Sequence, residues 1–484
     1  MKTNRYILRK RFDFAQYKYA IILAMAVSAA LSMASCTKEP PEEEEVIHVT
    51  GITLNPTAAF LLVGKTLYLE ADVEPAEIAN QSVTWSTSDD RVATVNPAGE
   101  VTAVAPGTAT ITVTTDDGRF TAECSVTVAV PNITMTTRAS VMGLSIQITA
   151  DDDNFVNFTI DWGDGKESKI TDAEIYYGEF IFRHNYSDNS IHRIAIAGEN
   201  ILRLGCSNNL TALDVSGATA LTYLDCDANQ LTALDLSCAT ELTYLSCCYN
   251  QLTSLDVSRN TALTDLYCYG NSLTSLDVSK NTALNILFCL ENKLTSLDVS
   301  GATALEHLYC YENRLTNLDV SRNTALISLI CNNNQLTSLD VGINTALRSL
   351  DCSANILTNL DVSRNKALNY LVCFFNSLTD LDVSKNIALT ELYCHFNKLT
   401  TLDVSGAIAL RYLYCWKNQL TDLDVSGATA LDTLFCEYNQ LTASALNELF
   451  KTLPYNRGEI CIDNNPGTQD CDRSIAEEKG WWVL

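Results

Sequence analysis

LTDLYCYGNSLTSLDVSKNTA, residues 263–283, is the sentence that the segment 221–430 repeats almost letter for letter. Written as L-x-x-L-x-C-x-x-N-x-L-T-x-L-D-V-S-x-N-T-A, it places cysteines at Cys206, at Cys226 and then every 21 residues to Cys436. Leu266 and Cys268 stand two apart in an extended segment, so both point to the same, inward side. Asn271 then turns the chain, and its amide is expected to satisfy backbone groups of the neighbouring coil. Leu273, Leu276 and Val278 close the far side, and the S-x-N-T stretch supplies a second corner. One such coil encloses no core, whereas stacked coils share a continuous one.

A fixed period in the twenties with leucines in this pattern predicts a leucine-rich repeat solenoid. Twelve coils of 21 residues, over residues 201–442, should form a curved slab with a parallel sheet on its concave side. The repeats resemble the cysteine-ladder repeats of bacterial internalins and of surface proteins from Bacteroidetes, a resemblance that covers about half the chain.

Residues 1–35 read as a leader. Six bases (Lys2, Arg5, Arg9, Lys10, Arg11 and Lys18) precede an apolar run of about a dozen residues, too short to span a bilayer and suited to a signal peptide. Met33-Ala34-Ser35-Cys36 resembles a lipobox, with methionine where leucine is usual, and implies lipidation of Cys36. Ordinary cleavage and secretion is the alternative. Residues 36–46, rich in glutamate and proline, read as an acidic tether. Acidic residues just after a lipid cysteine resemble the surface-export signal of Bacteroidetes lipoproteins. Net charge is −26, and loss of the leader's six bases and one acid leaves −31. Such a chain will not seek nucleic acid or anionic headgroups, and its expected contact with a membrane is the N-terminal lipid alone.

Residues 47–130 alternate in short runs such as Ile52-Thr53-Leu54, Val83-Thr84-Trp85, Thr110–Val113 and Ser125–Val128, which predicts an all-β sandwich. V-T-G-I-T-L at 49–54, W-S-T-S-D at 85–89 and G-E-V-T-A at 99–103 resemble the bacterial immunoglobulin-like group 2 domain, implying a stalk with Trp85 in its core. Residues 131–200 form a smaller β unit around F-T-I-D-W-G-D-G at 158–165. Its W-G-D-G turn and the His184-Asn185-Tyr186 strand resemble a truncated PKD-like module. Asp161 and Asp164 fail the spacing of an EF-hand loop, so aspartates capping a tight turn are expected there. Residues 443–484 read as a cap, with Leu446, Leu449, Phe450 and Leu453 on one helical face, a strand near Ile460 and a short second helix from Ser474.

The fold class is therefore multidomain: an N-terminal all-β immunoglobulin-like sandwich, a small PKD-like β module, and a curved leucine-rich repeat solenoid with a parallel concave sheet and a C-terminal helical cap.

Eighteen cysteines invite a metal or disulfide reading that their spacing resists. No C-x-x-C occurs, and in-register strands about 4.8 Å apart hold parallel side chains too far apart to bridge. The ladder cysteines are expected to act as small buried hydrophobes. Cys461 and Cys471 flank a turn, and the sequence leaves both a bridged and an unbridged pair open. Eleven aspartates stack from Asp214 to Asp424, each with Ser or Thr at fixed offsets, which favours structural capping over calcium. The five histidines make no constellation with an activated serine or cysteine, so no catalytic, metal or cofactor site is expected and the chain is read as non-enzymatic.

Function is expected where coils differ. Positions flanking the cysteine point out of the concave sheet and carry aromatic residues in columns. One patch comprises Tyr267, Tyr269, Tyr309 and Tyr311. The larger gathers Tyr370, Phe374, Tyr393, His395, Phe396, Tyr412, Tyr414, Trp416 and Phe435, with Arg411 and Lys417 at hand. A polar stretch at Asn332, Asn333, Asp351 and Ser353 separates them. Contiguous apolar surface marks interaction sites, although aromatics also favour strands for their own sake. The expected role is recognition or adhesion at the outer membrane or cell surface. A protein ligand is the first reading, and a glycan stacked on the rings the alternative.

Overall fold

The computed structural model describes residues 48–484 apart from 79–80, 118, 139–143, 151–156 and 208. The leader, the lipobox with Cys36 and the acidic tether lie outside the described residues.

The N-terminal unit is a β sandwich. One sheet runs Ala58–Leu62, Thr121–Ala129, Gly107–Thr115, Val83–Thr87 in spatial order. A second has three strands, Thr66–Tyr68, Glu100–Ala103 and Ala93–Val95, while Gly51–Asn55 pairs with Glu70–Glu74. Alternation does the sorting: Ala109, Ile111 and Val113 face Val126 and Val128 inside, and the threonines between them face out. Trp85 is only half-buried, packed at the edge of this core. The Gly99 backbone comes so close to its indole that a Cβ there would overlap the ring.

From Ile133 to Val483 a single hydrophobic core runs through the rest of the molecule. Each coil contributes a three-residue strand such as Asp265–Tyr267, pairing in parallel and in register with the next at Ile286–Phe288. Leucine at the strand centre and the following cysteine face inward: Leu266, Cys268, Leu287 and Cys289 are all fully buried. Twenty-one residues leave no room for a helix on the return path, which is extended and pairs locally, as between Ser275–Asp277 and Ser296–Asp298.

The asparagines do what the sequence predicts of them. Asn271 donates through Nδ2 to the Cys247 carbonyl of the preceding coil (2.9 Å) and to its own Cys268 carbonyl (3.1 Å). Its Oδ1 accepts from the Leu252 N–H of the preceding coil (3.0 Å). Just before it the chain turns through a left-handed residue in coil after coil, among them Phe375, Phe396, Lys417 and Tyr438 at φ of 50° to 57°.

The boundary expected at residue 200 separates two styles of sequence, but the sheet and the core run through it. Ile201–Ser207, which carries Cys206, pairs antiparallel with Leu144–Ala150 on one side and parallel with the coil strand Tyr223–Asp225 on the other. The small β unit thereby closes the open N-terminal end of the solenoid. Its W-G-D-G turn is held tightly: Asp161 and Asp164 accept from the Gly163 and Lys166 N–H groups, and Asp164 also meets His184 Nε2 at 3.0 Å. At the other end the helix Ala443–Thr452, capped by the Thr442 hydroxyl, lays Leu446, Leu449 and Phe450 over the last coil. The strands Glu459–Cys461 and Trp482–Val483 continue the sheet there.

Candidate functional site

The expected aromatic positions all fall on one face of the parallel sheet. Register makes this so: Tyr370, Glu391, Tyr412 and Thr433 form one column, and Val372, Tyr393, Tyr414 and Phe435 the next. Each of the thirteen candidates is half-buried, most of them because their rings pack against rings of adjacent coils.

The larger patch is built from stacks. Phe374, His395 and Trp416 lie face to face at centroid distances of 4.6 and 4.7 Å, with interplanar angles of 17° and 5°. Tyr393 and Tyr414 stack at 4.8 Å and 4°, and Phe435 meets Tyr414 edge-on. Phe396 stacks on Phe375 at 4.2 Å and meets Trp416 edge-on. The Lys417 ammonium sits 4.4 Å from the Phe396 ring centroid. Arg411 is tied up by Asp432 at 2.5 Å and lies over Tyr412. Burial between the rings pushes His395 down to about 4, so its imidazole is neutral at pH 7. Its Nδ1 is buried without a hydrogen-bond partner.

In the smaller patch Phe288 stacks on Tyr309 at 4.2 Å and 5°, and Tyr267 meets Phe288 edge-on. Tyr269 packs edge-on against Tyr249, whereas Tyr311 stands one coil beyond the buried Leu290. This patch reaches further back than the sequence suggested. Tyr223 stacks on Tyr244 at 4.3 Å, and the Arg203 guanidinium lies 3.9 Å from the Tyr223 ring centroid while pairing with Glu179. The small β unit thus adds to the same face. Sequence reading missed Tyr223 and Tyr244, which recur two places before the chosen column. It also missed Phe375 and Tyr438, in the left-handed column that Phe396 had already marked.

The ladder cysteines lie behind this surface, buried and unbridged, and Cys461 and Cys471 are unbridged as well. Burial pushes the thiols up, to about 12 at Cys310. On the opposite wall every aspartate of the column accepts the N–H two residues on, as Asp298 does from Ser300 (2.9 Å) and Asp403 from Ser405 (2.8 Å). Hydrogen bonds from these serines hold both carboxyls below the usual range, the Ser300 N–H leading at Asp298 and the Ser405 hydroxyl at Asp403. The column is therefore engaged in its own turns, and among the described residues no group of three His, Cys, Asp or Glu is placed to hold a metal.

Residues 48–126 match the bacterial Ig-like domain (group 2) family. Curated relatives share this kind of segment: Lacto-N-biosidase of Bifidobacterium bifidum is 41% identical over 112 residues, and an Ig-like virion protein of Serratia phage KSP90 is 45% identical over 85. The matches span 22% and 17% of this chain, and 10% and 33% of those proteins. Among solved structures, an internalin (inlF) of Listeria monocytogenes superposes with a TM-score of 0.50 at 24% identity, over 58% of this chain and 85% of that one. The functional domain of InlJ from the same species, which includes a cysteine ladder, is 33% identical over 55% of this chain and 76% of that one, with a TM-score of 0.38. The chain thus joins an immunoglobulin-like domain to a solenoid that shares its fold with an internalin.

Proposed function

We propose that the chain is a cell-surface recognition protein that grips a protein partner on the face of its parallel sheet. The observation that carries this reading is the orientation of the rings. In the Phe374, His395, Trp416 stack and in the Tyr393, Tyr414 pair the faces are spent on one another, which turns ring edges outward, while the Tyr393 hydroxyl donates to Glu391 (2.9 Å). Capture of a glycan, the other reading, needs open ring faces on which a sugar can lie, and here only the ends of each stack offer them. Ring edges suit a protein surface, where rigid tyrosine and tryptophan supply contact area at little entropic cost.

The test is an array screen of the purified chain against host proteins and glycans, followed by truncation of the rings. Tyr393→Ala, Tyr414→Ala and Trp416→Ala should each cut affinity for the retrieved protein at least about tenfold, roughly 1.4 kcal/mol. Each also loses a ring contact of about 1 kcal/mol, so melting temperatures should fall only slightly. Lys280→Ala and Arg322→Ala, on exposed corners, should change nothing. Wild-type binding by the ring variants sinks this site. Retrieval of sugars instead of proteins sinks the choice of partner.

A lipid on Cys36 would place the sheet face outside the cell, with residues 37–46 as tether. Cys36→Ala should move the protein out of the membrane fraction and end its release from whole cells by added protease. An unchanged distribution removes the anchor.

A further inference from the structure

Between the two aromatic patches lies a carboxylate, Asp351, whose one side-chain partner is Ser353. Asp351 stands on the sheet face with Ile330 and Val372 as its register partners in the adjoining strands, so apolar side chains flank it on both sides. Its hydrogen bonds, from the Ser353 N–H (3.0 Å) and hydroxyl (2.6 Å), both reach Oδ1. None of the ion pairs among the described residues includes it. The column aspartates of the opposite wall are exposed at their turns; Asp351 is half-buried, and burial raises its pKa. A half-buried acid with no counter-cation weakens a fold, and sites that keep one commonly use it.

The surroundings say what it would take. Small side chains floor the gap: Ser328 and Ser353 are buried, and Ser349 and Ala354 are short. Tyr309 stands two strands to one side of Asp351 and Tyr370 one strand to the other. At about 4.8 Å per strand, the walls are roughly 14 Å apart. Asp225, Asp227, Asp265, Glu391 and Glu437 share the sheet face, where Arg203 pairs with Glu179 and lies over Tyr223 and Lys417 lies over Phe396; the exposed Arg348, one residue before the Asp351 strand, forms no ion pair with Asp351. An acidic floor between aromatic walls suits a guanidinium or ammonium, which gains a charge-assisted hydrogen bond and ring contact together.

We infer that the gap between Tyr309 and Tyr370 receives an arginine or lysine side chain of a basic segment on the protein partner, with Asp351 as its counter-ion. This rests on the sheet face being the binding surface and names the chemistry of what binds there.

A displayed library of random dodecapeptides, panned on the full chain, provides the test. Peptides retained by the wild type should be enriched in arginine and lysine. Asp351→Asn should weaken them at least about tenfold, and replacing their basic residue by glutamine should do the same on the wild type. The asparagine still accepts both Ser353 bonds, so the variant should fold, with a melting temperature no lower than wild type. The sign follows from the raised pKa. The native acid binds its proton more tightly than the unfolded chain does, so wild-type stability falls as pH rises above the unfolded value near 3.9. The melting advantage of Asp351→Asn should therefore be small at pH 4 and larger at pH 7. The other ionisable groups against Asp351, Tyr370 and the thiols of Cys331, Cys352 and Cys373, keep their protons over that range. Peptides that depend on Tyr414 and Trp416 but bind wild type and Asp351→Asn alike overturn this inference and leave the surface standing. Peptides indifferent to all three residues, or a library that yields no binder, overturn both.

Discussion

Asn334→Ala should destabilise the solenoid by about 3 kcal/mol, an estimate built from one orphaned donor at 1–3 kcal/mol and lost bonds of about 1 kcal/mol each. The buried Asn334 amide donates to the carbonyls of Cys310 (3.0 Å), Cys331 (3.1 Å) and Asn332 (3.3 Å). Its Oδ1 accepts from the Leu315 N–H at 2.9 Å. The Cys310 and Cys331 carbonyls keep a second donor each, from Asn313 and Asn355. Leu315 keeps none. Its N–H loses its one protein partner, and a water drawn into the space left by the amide would have to be held there at an entropic cost. Contacts in such a stack are made between neighbours, so the seventh coil should become a weak joint and urea unfolding should lose its single transition. Gln335→Ala, exposed on the same corner, is the control. A change below about 1 kcal/mol for Asn334→Ala would mean that the amide bonds are incidental to the stack.

Gly406→Ala should cost about as much, through overlap instead of an unmet bond. A Cβ at Gly406 would run into the carbonyl of Ser384 in the preceding coil, and one at Gly301 into that of Ser279. Backbone cannot swing aside as a side chain can, so the coils must part, at about 1–3 kcal/mol or more. Both glycines precede an alanine, Ala407 or Ala302, where other coils carry asparagine. Asn386 spans the equivalent gap by donating to the Val362 and Asn365 carbonyls at 3.0 and 2.9 Å. Alanine offers no such link, and the backbone closes in. Gly342 makes the contrast. Its coil keeps Asn344, a Cβ there would meet only side-chain atoms at 3.2 and 3.8 Å, and serine stands at this place in other coils. Gly342→Ala should leave the melting temperature within a degree or two. If Gly406→Ala is equally mild, the coils have slack that the glycine does not need.

Much of this architecture is legible in the chain itself, because a strict period of 21 turns sequence spacing into spatial register. Once Leu266 and Cys268 face inward, the same letters one period later must do so too, and the columns of Tyr393 and Tyr414 follow without coordinates. The asparagine clamp is legible for the same reason, since its partners lie within one coil of it. What adjoins across unlike segments is decided only by folding. The pairing of Ile201–Ser207 with Leu144–Ala150, which makes the small β unit a lid on the solenoid, joins stretches with no shared pattern. Arg203 reaches the Tyr223 ring on that account. The direction a ring faces, stacked at 4° in one pair and edge-on in the next, depends on side-chain torsions and neighbour size that a period does not encode. That Asp351 is flanked by Ile330 and Val372 follows from the same period, but its burial and its lack of a counter-ion among the described residues do not. Those two depend on how the strands around it pack and on which cations reach it, which no period encodes.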